Sequence, residues 1–329
     1  MFDGISKTID EFGNGILTAL NDIQGVFGKE LNVATPIKDS ILDLVGNTPL
    51  IRLNKIGSHI QGIQFYLKAE FQNPTGSLRD RSSLGMIRDA ERRGKLKTGS
   101  KILITGTGSS SVSISWAGRT LGYKVISVLP KTISASDTYK LKHYGAELEY
   151  TEIDPLQYIK QKLSDTSFWY PDETRNMANP NQHFTTTGPE IYRDLNGRVD
   201  YLITGGGTGA SVTGVGRYLR SMKESRSTKI LLSGFENSLF HEHFVQKKKV
   251  HLPEIFDPSV VDEFISINKE VAVHYQSDLM EKEGLPVGIT TGMIVAAAIA
   301  FAETIQHDGF SSDLNREIKN FVILSPDRE

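Results

Sequence analysis

The chain has 329 residues, enough for two domains of ordinary size, and 38% of them are hydrophobic and available to fill cores. Its 37 Lys+Arg nearly balance 39 Asp+Glu, a formal charge of −2, so the bulk charge favours neither a nucleic-acid nor an anionic-membrane partner, and any anionic ligand must be held locally. The lack of cysteine excludes disulfides, a catalytic thiol, thiolate metal sites and thiolate haem ligation.

Residues 1–40 read as an N-terminal amphipathic arm. Ile5, Ile9, Phe12, Ile16, Leu20, Ile23 and Phe27 recur at the spacing of one helical face, although Gly4, Gly13 and Gly15 weaken an isolated helix. Such a stripe packs on its own core, spans a dimer, or docks a different protein. The opening MFDGISKTIDEF sets Asp3 and Asp10 where a secretory leader needs positive charge and then an apolar run. No stretch reaches the roughly 18 apolar residues of a membrane span, so a cytoplasmic protein is expected.

Beyond the arm, β-branched runs alternate with amphipathic stretches. A strand at Lys101–Thr105, a Gly/Ser turn, a helix over about Val112–Leu121 and a strand at Lys124–Leu129, stopped by Pro130, make one β-α-β unit. A strand at Tyr201–Thr204, the turn GGGTGASVTG (Gly205–Gly214), a helix to about Met222 and a strand at Lys229–Leu232 make another. This pattern predicts an α/β protein with mostly parallel sheets flanked by helices. Lys247, Lys248 and Lys249 read as a solvated loop.

The turn Gly205–Gly214 exposes backbone N–H groups at the positive end of a helix, and Thr208, Ser211 and Thr213 add hydroxyls. Alone, it stands equally for a phosphate site or a tight packing turn. It is not a P-loop, for no Lys-Ser/Thr follows, nor a dinucleotide fingerprint. His241 and His243 would share a face if extended, but two histidines make an incomplete metal site, so no metal is expected.

From about residue 41 onward, in unbroken order, LVGNTPLIRLNKI (Leu44–Ile56), KAEFQNPTGSLRDR (Lys68–Arg81), TGSSSVSISWAGRTLGY (Thr107–Tyr123), the stretch Asn176–Arg220 and EGLPVGITTGMIVAAA (Glu283–Ala298) resemble the cysteine synthase and cystathionine β-synthase family. The resemblance implies a two-domain fold-type II pyridoxal-phosphate fold, like tryptophan synthase β. One α/β domain would cover 41–175 and a second, carrying the phosphate loop, 176–329, usually in a homodimer. It implies that Gly207, Thr208, Gly209, Ser211 and Thr213 bind the cofactor phosphate, and that Thr107, Gly108, Ser110 and Ser111 form the substrate-carboxylate loop. Ser109 stands where the family has an asparagine on the cofactor's ring hydroxyl.

The family's Asn-Pro-x-Gly-Ser-x-Lys-Asp-Arg motif supplies the lysine that forms the Schiff base and moves the α-proton. Here the motif reads NPTGSLRDR, and that position is Arg79. A guanidinium stays protonated and its lone pairs are delocalised, so it neither forms the aldimine nor serves as a practical base. Lys68 reads as an ordinary strand or surface lysine, Asp80 and Arg81 as a structural ion pair or helix start, and Asn73 and Ser77 as loop-shaping residues. Ser111 replaces a family glycine, its serine cluster serving as carboxylate donors or as an N-cap. By the resemblance, Asp172-Glu173-Thr174 stands where the family commonly carries Gln-Gln-Phe beside the substrate, and would put negative charge near an anion site. The sequence stops at ILSPDRE, where relatives continue through a residue bonding the pyridine nitrogen; Thr290 and Thr291 lie near that region by motif.

The expectation is a cysteine synthase-like pseudoenzyme of amino-acid metabolism. It would bind a small phosphorylated or amino-acid ligand, pyridoxal phosphate included but not covalently, and act as a homodimer or through a protein partner, without haem, metal, nucleic acid or membrane. The alternative is an active lyase or transferase acting on an O-activated serine, a cysteine or diaminopropionate synthase. An engineered lysine-to-arginine exchange in an ordinary synthase is a third reading.

Overall fold

The computed structural model describes residues 37–306 and 318–328. The arm expected over 1–40 lies outside the described residues up to residue 36. No helix among the described residues is long and apolar enough to cross a membrane.

The strands are β1 (Leu50–Arg52), β2 (Ile63–Ala69), β3 (Lys101–Thr105), β4 (Lys124–Pro130), β5 (Glu147–Thr151), β6 (Phe168–Trp169), β7 (Tyr201–Gly205), β8 (Lys229–Phe235), β9 (Glu263–Ile267) and β10 (Lys319–Ser325). A six-stranded sheet has the order β1-β2-β10-β7-β8-β9, and a four-stranded sheet the order β5-β4-β3-β6. Every pairing is parallel except β1 with β2. Parallel strands are covered by helices on both faces and therefore read as continuous apolar runs. β10 is the clearest case: it lies between β2 and β7, and Phe321, Val322, Ile323 and Leu324 are at most 1% exposed. Chain from both sides of residue 175 builds the six-stranded sheet, since β1 and β2 share it with β7 to β10.

Both expected β-α-β units are present, with helices at Ser109–Thr120 and Ala210–Ser221. The first begins three residues earlier than expected. Serines favour caps and turns in isolation, but here Ser111 and Ser115 donate their hydroxyls to the Thr105 and Ser111 carbonyls. Pro130 closes β4 instead of ending it beforehand, at a strand terminus where a missing N–H is tolerated.

A buried ion network ties the helix Arg79–Arg92 to the six-stranded sheet. Arg81 donates to Glu70 at 2.7 and 2.8 Å and to both oxygens of Glu190 at 2.7 Å. Lys68, far from being a surface lysine, is wholly buried in β2, with its ammonium 2.9 Å from Glu190 and donating to the Thr48 carbonyl at 2.6 Å. Asp80 accepts the Thr75 N–H at 2.7 Å, and the Asn73 carboxamide joins Gly46 N–H to Glu70. These residues shape the loop that leads into Arg79.

The His241 pair belongs to a short helix, Leu239–Phe244, not to a strand, so His241 and His243 do not share a face. His241 Nδ1 lies 2.8 Å from Ser266 Oγ. Among the described residues no group of three or more His, Asp or Glu is placed to hold a metal.

Candidate functional site

A cavity of about 220 Å³ opens at the C-terminal ends of β7, β8 and β10, bordered by Gly205, Phe235 and Leu324 at those ends. This is the end at which open parallel sheets leave loops free to receive ligands.

β7 runs directly into the glycine turn and the helix Ala210–Ser221. Gly207 has φ +58° and Gly209 φ +77°, left-handed values that favour glycine. A Cβ on Gly207 would lie 2.9 Å from Arg79 Nη2, so a side chain there would meet the guanidinium. The first turn of the helix carries N–H groups without intrahelical acceptors, and its positive end favours an anion. Of the residues assigned to phosphate from sequence, Gly207, Thr208 and Ser211 line the cavity. Gly209 shapes the turn against the Phe256 ring, and Thr213 is buried behind it, its hydroxyl accepting the Asp257 N–H at 3.0 Å.

Arg79 opens its helix, with its N–H donating to Ser77 Oγ at 3.0 Å. Its guanidinium reaches across to the glycine turn. Nη1 donates to Thr208 Oγ1 at 3.3 Å and lies 3.9 Å from Glu173 Oε2. No lysine lines this cavity among the described residues, and the Lys68 amine is committed to the buried network.

Thr107, Gly108 and Ser109 border a second cavity of about 580 Å³, together with Ser77, Lys140 and Arg328. Asp327 lines both cavities and so stands between the glycine turn and this loop. Ser110 and Ser111 line neither; Ser110 donates to the Glu173 carboxylate, and Ser111 turns back on its own strand. The negative charge expected from Asp172-Glu173-Thr174 thus arrives as Glu173, between the serine loop and Arg79.

Several cavity residues escaped sequence reasoning. His183 begins a π-helical turn, His183–Thr187, a form often found at functional sites. It is wholly buried, its Nδ1 is 3.0 Å from Thr187 Oγ1, and its Nε2 has no partner. Burial, aided by the Arg81 guanidinium, lowers its pKa to about 3, so the ring is neutral. It reaches the cavity because Gly214 lets its helix pack where a Cβ would stand 2.2 Å from the Pro180 carbonyl. Asp327 follows the end of β10; burial raises its carboxyl above the ordinary range, and Oδ1 has no partner. Thr290, singled out by motif, also lines the cavity, whereas Thr291 is buried against Ser325. A lone histidine among polar residues carries no signal of its own, and Asp327 acquires a role only once the strand order is known.

Residues 41–312 match the family described as "Pyridoxal-phosphate dependent enzyme". Cysteine synthase B of Salmonella typhimurium is 31% identical over 263 residues, covering 78% of this chain and 86% of that protein. Cysteine synthase A of Escherichia coli is 32% identical over 302 residues, covering 86% and 90%. A solved hydrogen sulfide-producing enzyme from Fusobacterium nucleatum superposes with a TM-score of 0.78 at 27% identity, over 89% of this chain and 97% of that one. O-ureido-L-serine synthase superposes with a TM-score of 0.77 at 27% identity, over 89% and 92%.

Proposed function

The chain belongs to the pyridoxal-phosphate dependent enzyme family, and from that membership we propose that it holds a phosphorylated ligand non-covalently and does not itself run Schiff-base chemistry. One observation carries this reading: at the position the resemblance gives to the lysine, a guanidinium rests on Thr208 of the glycine turn.

The phosphate end of pyridoxal phosphate fits these residues. Gly206, Gly207, Thr208 and Ser211 border the cavity with backbone N–H and hydroxyl donors, and Arg79 adds a forked cation suited to phosphate oxygens. Bound there, the cofactor would supply an electron sink for carbanions of amino acids. The covalent link does not fit, because arginine offers no free amine. Arg79 binds and orients the anion, and Glu173 holds the guanidinium in the absence of one. In this reading the protein serves amino-acid metabolism as a partner subunit or ligand sensor.

A second reading is favoured by the similarity to cysteine synthases and to O-ureido-L-serine synthase: an active lyase or transferase acting on an O-activated serine. It requires a proton-transfer base other than Arg79.

The absorption spectrum of the purified protein, taken before and after pyridoxal phosphate and then borohydride, with intact mass recorded at the end, separates the two. We expect no aldimine band and no adduct, and both to emerge in Arg79→Lys. A stable adduct on the unaltered chain, or β-replacement by it, sinks the first reading.

A further inference from the structure

The cavity beside the serine loop carries charge that the proposed function leaves unused. Thr107 and Ser109 of the loop border it, as do Lys140 of the helix Ala135–His143 and Arg328. Asp327, the carboxylate among its described lining residues, is already hydrogen-bonded by the Ser77 hydroxyl and lies in the field of Lys140. Neither Lys140 nor Arg328 makes an ion-pair contact among the described residues.

An exposed basic side chain is usually a solvated one, so the case rests on how these two are held. Residues 326–328 are fixed from two sides. Leu78 N–H donates to the Pro326 carbonyl at 2.8 Å, Gly288 N–H to the Asp327 carbonyl at 3.1 Å, and Arg328 N–H to the Gly76 carbonyl at 3.2 Å. The Arg328 side chain lies along the bare backbone of Gly76, where φ is +84° and a Cβ would stand 2.4 Å from Nε and 3.0 Å from Cγ and Cδ. Glycine at that position is what lets the arginine approach the loop. An arginine held in this way loses less freedom when it takes up an anion. On the facing helix the His143 ring stacks on Tyr139 at 6.0 Å and meets Tyr144 edge-on at 5.2 Å, so the histidine is engaged by rings and Lys140 is the ammonium at the cavity.

At about 580 Å³ the space lies within the roughly 300–1,000 Å³ typical of small-molecule pockets. A ligand with a single carboxylate on the serine loop leaves both cations to water, whereas one with a second anion engages them as well. Resting on the reading of residues 107–111 as a carboxylate loop, we infer that this cavity takes an amino acid with an acidic side chain, its α-carboxylate on the serine loop and its side-chain carboxylate on Arg328 and Lys140. Arg328 and Lys140 are then the residues that set ligand specificity.

The test is calorimetric titration of the full chain, in low-salt buffer, with L-aspartate, L-glutamate and their neutral amides L-asparagine and L-glutamine. All four should bind, and at least one acid about tenfold more tightly than its own amide, the scale of one hydrogen bond to a charged group. Lys140→Gln and Arg328→Gln should each shrink that preference and together abolish it, with amide binding kept. Lys249→Gln, at an exposed lysine that lines neither cavity, should leave it intact. Acids that bind no more tightly than their amides, a preference that either variant leaves unchanged or that survives the double variant, or one that Lys249→Gln removes, overturns the inference and leaves the carboxylate loop standing. Failure of all four to bind overturns the reading of the loop, and the inference with it. Thermal melts establish that the variants are folded, and Lys140→Gln, a change at an exposed helix position, carries the test by itself should Arg328→Gln not fold.

Discussion

Glu190→Gln tests how the helix that carries Arg79 is held. The Glu190 side chain is only 8% exposed; it takes two guanidinium hydrogen bonds from Arg81 at 2.7 Å and lies 2.9 Å from the Lys68 ammonium. Glutamine keeps the shape but removes the charge. Arg81 retains Glu70, while Lys68 keeps the neutral Thr48 carbonyl and, as its remaining ion-pair contact, Asp194 at the longer distance of 3.6 Å. Removing one partner of a buried ion pair costs about 3–5 kcal/mol, and because glutamine preserves one acceptor we place the loss near the lower end, about 3 kcal/mol. Adding Lys68→Met removes the ammonium that has lost its carboxylate and should recover about 1–2 kcal/mol, since an apolar side chain of similar volume carries no desolvation penalty. Urea denaturation at neutral pH reads both effects as shifts of midpoint at constant slope. The acid limb gives a second check. Arg81 and Lys68 lower the Glu190 pKa to about 2 against burial, so its contribution is complete above 4.5 and is lost as pH falls towards 2. The variant should lack that loss. A cost below about 1 kcal/mol, or no relief from Lys68→Met, would refute the reasoning, because a buried charge deprived of its partner cannot be that cheap.

His183 titrates at about 3 in the fold and at 6.5 when unfolded, so the unfolded chain binds the extra proton between those values and stability should rise with pH across that window, by up to about 1.4 kcal/mol per unit. In His183→Asn the urea midpoint should change less between pH 6.5 and 4.5, and an unchanged slope there would count against a buried neutral ring. Gly207→Ala should cost about 1–2 kcal/mol for a left-handed alanine, lowering the melting temperature modestly; because its Cβ displaces the guanidinium end of Arg79, phosphate binding should weaken more than stability does. Arg79→Ala should weaken inorganic phosphate binding about tenfold, the contribution of a charge-assisted hydrogen bond, as read by calorimetry; undiminished affinity would remove Arg79 from the anion site.

The sequence by itself determined the parts whose signal is local. Parallel strands buried on both faces had to be short apolar runs, which made β3, β4, β7 and β8 legible, and a glycine turn between strand and helix had to offer free N–H groups. The chemical incapacity of Arg79 as a Schiff-base former also follows from the residue alone. What only the tertiary structure decided depends on residues far apart in the chain meeting through strand order and register. The placement of β10 between β2 and β7 carries Asp327 to the cavity, and the packing of Gly214 on Pro180 carries His183 there. The sharing of Asp327 between the cavity at the glycine turn and the one at the serine loop, and the enclosure of Lys68, in β2, by Glu190, arise in the same way. None of these was legible beforehand, because a side chain's direction and burial are set by the packing around it, and that packing comes from elements more than a hundred residues distant as well as from its own segment.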